Sequence, residues 1–208
     1  MKNFVITIAR GYGSSGKTIG KMLSERMGIH YYDQELLRLA SDESGINEKL
    51  FGQADECLNK PVFFKKSARS AHTGKLLPPN SQDFTSMENL FNYQAKVIED
   101  LAKRDESCVI VGRCADYILR DYDNVLSIYV HAPKDYCIRT TMEIRNLNEE
   151  EAWKFIQKTD KRRSDYYRYF TGNDWKDADN YDLCLNSAKL GWDKCMDLIE
   201  AYLKIKLS

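Results

Sequence analysis

Residues 11–18, "GYGSSGKT", separate two stretches with different hydrophobic patterns. Before them, "FVITIA" at residues 4–9 is short, apolar and rich in β-branched residues, which is typical of a buried parallel strand. After them, apolar residues recur at helical spacing, at Ile19, Met22, Leu23 and Met27. The sequence therefore predicts a strand, a glycine-rich loop and a helix in direct succession.

The loop matches the pattern G-x-x-x-x-G-K-[ST]. Glycines allow consecutive backbone N–H groups to turn toward one phosphate, and the helix N-terminus adds partial positive charge. Without a phosphate, a lysine in the first helical turn would oppose the helix dipole. We therefore predict that the loop binds ATP, with Lys17 on the β and γ phosphates and the Thr18 hydroxyl placed for Mg²⁺. The predicted nucleotide-binding residues are Gly11, Gly13, Ser14, Ser15, Gly16, Lys17 and Thr18.

Composition limits the classes of partner. The 208 residues include 31 basic and 31 acidic side chains, so long-range attraction to nucleic acid or to a membrane surface is not favoured, and we predict neither as a partner. Any anion site must be built locally. No apolar segment reaches the roughly 20 residues of a membrane span, and the N-terminal apolar run is too short for a signal peptide. Six cysteines include no C-x-x-C pair, and we interpret them as reduced thiols of a cytoplasmic protein.

Four further strands are predicted, at residues 29–32, 107–112, 125–132 and 181–185. They alternate with amphipathic stretches, which predicts an α/β fold: a five-stranded parallel sheet with helices on both faces. Two interruptions, near residues 44–86 and 148–172, fall in loops that follow strands, where ligands bind in open α/β sheets. Residues 67–83 are polar, with glycine and a proline pair, and are predicted to form a mobile loop.

The second interruption carries "KTDKRRSDYYRYF" at residues 158–170. On a helix, Lys161, Asp165 and Arg168 share one face, so Asp165 is expected to hold Arg168 in place. The simplest interpretation is a solvated helix with local ion pairs. Its position after the fourth strand's helix favours a lid instead, because phosphoryl transfer needs positive charge over the migrating oxygens and exclusion of water.

Five stretches of the chain resemble the cytidylate kinase-like branch of the P-loop nucleoside monophosphate kinases, nearly from end to end. They are "ITIARGYGSSGKT", "YYDQELL", "VIVGRCADYIL", "KTDKRRSDYYRYF" and "YDLCLNS". The resemblance implies one three-layer P-loop kinase domain over residues 1–208, with an acceptor-binding insertion and a helical lid. Its implied boundaries are 1–43, 101–147 and 173–208 for the core, 44–100 for the insertion and 148–172 for the lid.

The resemblance also assigns roles by position. Asp33 falls where cytidylate kinases have an aspartate near the metal and the acceptor, although its simpler interpretation is a helix N-cap. Arg113 matches a family arginine that contacts the acceptor. Arg38 lies one residue from the position of a second acceptor-binding arginine of the family. Acceptor binding is thus implied for Asp33, Arg38, Arg113, Asp165 and Arg168, and metal binding for Thr18 and Asp33. The predicted catalytic cations are Lys17, Lys161, Arg168 and one or both of Arg162 and Arg163.

Two departures from the family pattern concern the acceptor and the metal. Val111 and Cys114 stand where authentic cytidylate kinases have aspartates, which leaves Asp33 to serve the metal alone and places Asp116 two residues from the missing acceptor acid. The predicted function is ATP- and Mg²⁺-dependent phosphoryl transfer to a small acceptor, most simply a nucleoside monophosphate such as CMP. Two alternatives stay open: a nucleoside, sugar or other metabolite as acceptor, or a nucleotide-binding regulatory module without transfer.

Overall fold

The computed structural model describes residues 3–56 and 74–207. Its strands are β1 (Val5–Arg10), β2 (His30–Tyr32), β3 (Cys108–Val111), β4 (Val125–His131) and β5 (Leu183–Asn186). Its helices are α1 (Gly16–Met27), α2 (Glu35–Ser44), α3 (Glu48–Glu56), α4 (Met87–Lys103), α5 (Ala115–Ile118), α6 (Lys134–Arg145), α7 (Glu149–Thr171), α8 (Ser187–Leu190) and α9 (Trp192–Lys206). Each predicted strand is present, with boundaries within two residues of those expected.

All strand pairs are parallel, in the order β2-β3-β1-β4-β5. The predicted five-stranded parallel sheet is confirmed. The chain leaves β1 toward β2 on one side and later reaches β4 on the other, so β1 lies at the centre of the sheet. A crevice forms at the carboxyl end of a strand where the order reverses in this way. The residue that ends β1, Arg10, leads directly into the glycine loop.

The sheet is covered on both faces. Ile6 and Ile8 pack with α1 and α9 on one face, whereas Val5 and Ala9 belong to the core on the other, with α2, α4, α5 and α7. Burial on both faces explains why the β1 sequence is a continuous apolar run instead of an alternating one. Helix α4, which lies mostly within the predicted insertion, packs in this second core.

Residues 57–73 lie outside the described part of the chain, and with them part of the predicted insertion and part of the predicted mobile loop. Residues 74–83 form turns and irregular backbone. The boundaries implied for core, insertion and lid stay predictions. The cysteines of the described residues are free thiols, as expected, and Cys57 falls in the gap. Among the described helices, none is long and apolar enough to cross a membrane.

The predicted lid is one continuous helix of 23 residues, α7. It begins in a capping box, in which Asn148 accepts from the Glu151 N–H and Glu151 accepts from the Asn148 N–H, and it ends at Gly172. Its C-terminal half is part of the core: Phe170 stacks on Phe91 of α4 with ring centroids 4.1 Å apart. Two of the three tyrosines of this half, Tyr166 and Tyr167, are buried packing residues.

One buried polar contact ties α7 to the short helix α5. The Tyr167 hydroxyl donates a 2.6 Å hydrogen bond to Asp116, and both side chains are buried. Burial raises the pKa of Asp116 from its ordinary value of 3.8 to about 6, although the Tyr167 bond acts in the opposite direction. The folded chain therefore holds this proton more tightly than the unfolded chain does.

This difference predicts a pH-dependent stability. Between about pH 4 and pH 6 the unfolded chain releases the Asp116 proton while the folded chain retains it, so this group's contribution to stability is lost as pH rises through 6. Asp116→Asn cannot ionise but still accepts from Tyr167. Urea unfolding measures the free energy of unfolding of both proteins at pH 4.5 and pH 7.5. The difference between them should change by roughly 2 kcal/mol in favour of the variant from the lower to the higher pH. Exposed Asp121→Asn is the control, and equal pH dependence of wild type and Asp116→Asn would contradict the account.

Candidate active site

A cleft with a volume of about 740 Å³ lies at the carboxyl ends of β1 and β3, between the glycine loop, α2 and α7. Its described lining includes far more basic than acidic side chains. The basic residues are Arg10, Lys17, Lys21, Arg113, Arg145, Arg162 and Arg163, and the acidic ones are Asp33 and Asp116. A chain with no net charge thus gathers positive charge locally, as predicted for an anion site.

The glycine loop lines this cleft, and its close contacts require glycine. Gly13 has φ +77°, and a Cβ there would lie 2.5 Å from the Cys137 carbonyl oxygen. A Cβ on Gly16 would lie 2.6 Å from the Cβ of Arg10. Neither position accepts a larger residue without movement of the backbone. Of the predicted nucleotide-binding residues, those on the cleft are Gly11, Gly13, Ser15, Gly16, Lys17 and Thr18.

Ser14, the remaining member, lies behind the loop and is buried. Its hydroxyl is 2.8 Å from the Gly11 carbonyl oxygen and 3.0 Å from that of Val130, and it can donate to either. The Ser187 hydroxyl in turn donates to the Ser14 carbonyl at 2.7 Å. Ser14 therefore anchors the loop to β4 and α8, and its side chain does not face the cleft.

Asp33 is held by cations. The Lys17 ammonium is 2.6 Å from one carboxylate oxygen and an Arg10 nitrogen is 3.9 Å from the other. The simpler interpretation of Asp33 as a helix cap is wrong, because the N-cap of α2 is Gln34 and no side chain caps that helix. Asp33 and Thr18 instead present a carboxylate and a hydroxyl to the same cleft. Oxygen donors of this kind fit Mg²⁺.

Two guanidinium groups are buried beside the loop. Burial lowers the pKa of Arg10 and that of Arg113, and nearby Asp33 opposes the shift in both. The Arg10 guanidinium occupies the space beside Gly112, where a Cβ would lie 2.2 Å from Arg10 Nη1. Partly desolvated cations gain when an anionic ligand enters. Arg10 was not recognised in the sequence, where it is simply the polar end of an apolar strand.

Helix α7, the predicted lid, turns a different face to the cleft from the one expected. The residues that line the cleft follow helical spacing: Thr159, Arg162, Arg163, Tyr166 and Tyr167. Lys161, Asp165 and Arg168 are not among the described lining residues. The Lys161 and Arg168 side chains are 73% and 55% exposed.

The expected pairing on that outer face is also wrong. Asp165 bonds Lys161 at 2.6 Å, and Arg168 bonds Asp174 at 3.1 Å. Spacing identifies which residues share a face, but the buried side chains decide which face meets the protein. The signal was present, because Ile156, Tyr166, Tyr167 and Phe170 form the apolar stripe of this helix.

Of the two remaining residues predicted to bind the acceptor, one lines the cleft and the other does not. Arg113 lines the cleft, whereas the exposed Arg38 side chain bonds Glu35 at 2.9 Å and is absent from the described lining. The cleft lining also includes a largely apolar and aromatic group of residues. Its residues are Leu37, Cys114, Tyr166, Tyr167 and Trp175, with Asp116 among them. A flat ring that offers a hydrogen-bond donor would suit these walls.

One further residue of the site, Asp160, was missed. Asp160 on α7 accepts a 2.8 Å hydrogen bond from the backbone N–H of Tyr12 in the glycine loop. Arg163 donates to the Arg10 carbonyl at 3.1 Å and lies 3.6 Å from Asp160. In the sequence, Asp160 and Arg163 form only an i, i+3 pair, and nothing local indicates contact with a loop almost 150 residues away.

The chain was compared with known proteins. No curated protein matches it. A solved structure of an uncharacterized protein from Eubacterium ventriosum is 27% identical, covers 97% of this chain and 99% of its own, and has a TM-score of 0.70. A shikimate kinase from Bacteroides thetaiotaomicron shares the fold, at 10% identity, 97% and 98% coverage and a TM-score of 0.54. The sequence model of the cytidylate kinase-like family matches residues 5–189, and the chain therefore belongs to the cytidylate kinase-like family.

Proposed function

We propose that the protein is an ATP- and Mg²⁺-dependent kinase that transfers the γ-phosphoryl group to a small acceptor, with a nucleoside monophosphate such as CMP as leading candidate. The observation that supports this most directly is the arrangement of cations. Lys17 of the glycine loop lines the same cleft as Arg162 and Arg163 of α7, and Arg113 lines it as well. Family membership supports the same reaction.

The proposed roles follow the geometry. The loop N–H groups and Lys17 hold the β and γ phosphates, while Arg162 and Arg163 neutralise charge on the transferring group. Arg113 holds an anionic group of the acceptor. Phosphoryl transfer asks little covalent chemistry of the protein, so these side chains act by position and charge. Lys161 and Arg168, on the outer face, are replaced in this assignment by the two arginines of the inner face.

Thr18 and Asp33 are the proposed protein contacts of Mg²⁺, direct or through water. The described residues contain no group of three or more metal-ligating side chains, which suits an ion that takes most of its ligands from phosphate and water. When bound, Mg²⁺ neutralises phosphate charge and aligns the phosphate chain. Because Asp33 already bonds Lys17, it also sets the direction from which that ammonium approaches the phosphates.

The acceptor is the less constrained part of the proposal. Cys114 in place of an acid, and the aromatic side chains of the lining, favour keeping a non-nucleotide metabolite as second candidate. The fold shared with a shikimate kinase is compatible with such an acceptor. A binding module without transfer explains the site less well, since nucleotide binding alone does not need arginines on a second element.

Lys17→Ala tests the proposed function. The variant should lose at least about 10²-fold in turnover, because the ammonium is aimed at charge that develops during transfer. The measurement is transfer of label from γ-³²P-ATP to a panel of CMP, dCMP, UMP, AMP, nucleosides and shikimate. Lys154→Ala, on the exposed side of α7, is the control. Transfer by Lys17→Ala within about threefold of wild type would refute the assignment.

Asp33→Asn tests the metal contact. Removing the charge should raise the Mg²⁺ concentration for half-maximal rate by roughly 10-fold or more, as for other groups that orient a metal. Initial rates across a Mg²⁺ titration measure it, with exposed Asp121→Asn as the matched change. A normal Mg²⁺ requirement with a reduced rate would show that Asp33 serves only to hold Lys17.

A further inference from the structure

A single acidic residue joins the predicted lid to the phosphate-binding loop. Asp160, in the middle of α7, accepts the 2.8 Å hydrogen bond from Tyr12 N–H through its Oδ1. The same oxygen lies 3.6 Å from Arg163 Nη1, one turn along the helix. That guanidinium also donates to the carbonyl of Arg10, the last residue of β1. One carboxylate thus connects a loop amide to a cleft arginine.

Burial separates this contact from ordinary helix ion pairs. The Asp160 side chain is 18% exposed, whereas the Glu150 and Lys154 pair on the same helix is 78% and 70% exposed. Burial raises the pKa of Asp160 and lowers the pKa of Arg163 to about 9, so both charges are costly where they lie. Removing either partner would leave the other uncompensated. Exposed ion pairs, by comparison, contribute little to the stability of the folded protein.

The Tyr12 side chain is held by two helices, α6 and α7. Its ring meets Phe155 of α7 edge-on, with centroids 5.0 Å apart, and its hydroxyl accepts from Arg145 Nε of α6 at 3.0 Å. Next to it, Gly13 lies against the α6 backbone so closely that no Cβ fits. The first part of the loop is therefore attached to α6 and α7 through both its backbone and a side chain.

We propose that Asp160 is a positioning residue that couples the lid helix to the phosphate-binding loop and aims Arg163 at the transferring phosphoryl group. This role rests on the proposed kinase function. Asp160 itself touches no reacting atom: its carboxylate fixes the Tyr12 amide on one side and the guanidinium on the other. The loop and the lid cation then stand at a fixed separation, which is the requirement of in-line transfer.

The test uses the full chain and three single variants. Asp160→Ala removes both contacts, Asp160→Asn keeps an oxygen for the Tyr12 amide but no charge for Arg163, and Glu150→Gln is the control on the same helix. Asp160→Ala should lower kcat by about 10²-fold, the cost of a misplaced group, with a smaller change in the KM for ATP. The kcat of Asp160→Asn should lie between those of Asp160→Ala and wild type. Glu150→Gln should match wild type.

A double-mutant cycle separates positioning from loss of structure. If Asp160 acts through Arg163, Asp160→Asn should lower kcat in the wild-type background and change it little in Arg163→Ala. Additive losses would overturn the proposal. So would a kcat of Asp160→Ala equal to wild type, or a loss that follows thermal unfolding of the variant in the assay.

Hydrogen–deuterium exchange keeps this test separate from the proposed reaction. The Tyr12 amide should exchange faster in Asp160→Ala than in wild type, and at the wild-type rate in Glu150→Gln. Unchanged exchange in Asp160→Ala overturns the link between lid and loop, whether or not any acceptor is phosphorylated. Faster exchange in a protein that transfers no phosphate would support the link and reject the kinase assignment alone.

Discussion

Basic side chains gathered in a partly buried cleft lose hydration and repel one another, and this cost is the constraint on which the site depends. Seven basic side chains of the described residues line the cleft, and burial further penalises the charges of Arg10, Arg113 and Arg163. Asp33 and Asp160 offset part of the cost, each from a position against the glycine loop. A polyphosphate would offset the rest, so the free energy stored in this arrangement becomes binding energy for an anionic ligand.

The fold supports the arrangement at two places. The carboxyl end of β1 supplies Arg10 and then the loop, and the parallel order around β1 opens the crevice there. Helix α7 is anchored by Phe170 and Tyr167 in the core of the second face, while its preceding turns carry Arg162 and Arg163. The arginines of α7 that line the cleft therefore extend from a part of the helix that is packed into the core.

Much of this could be predicted from the sequence. The strand, the glycine loop and the helix follow one another within about 25 residues, and their pattern is local. Strand positions followed from short apolar runs. What could not be predicted depends on contacts between distant segments. The inner face of α7 is chosen by packing on α4, and the environment of Asp33 depends on how β1 and α1 place Arg10 and Lys17.

The resemblance to the cytidylate kinase-like family also located elements without giving their contacts. It predicted a basic helix in this part of the chain, which the structure contains as α7, but carried the family's acid–arginine spacing onto Asp165 and Arg168, which the structure turns outward. The residues on the cleft side, Asp160, Arg162 and Arg163, lie in the same quoted segment one helical face away. A motif match locates an element in the chain more securely than it orients that element about its own axis.

The central claim is that the inner face of α7 supplies the charge for transfer. Steady-state kinetics of Arg162→Ala and Arg168→Ala, beside calorimetric ATP binding, tests it most directly. The account predicts a loss in turnover of about 10²-fold for Arg162→Ala, with the ATP dissociation constant changed only a few-fold, because the charge acts on the transition state. Arg168→Ala should cost far less. A larger loss for Arg168→Ala than for Arg162→Ala would contradict the claim and return catalysis to the outer face.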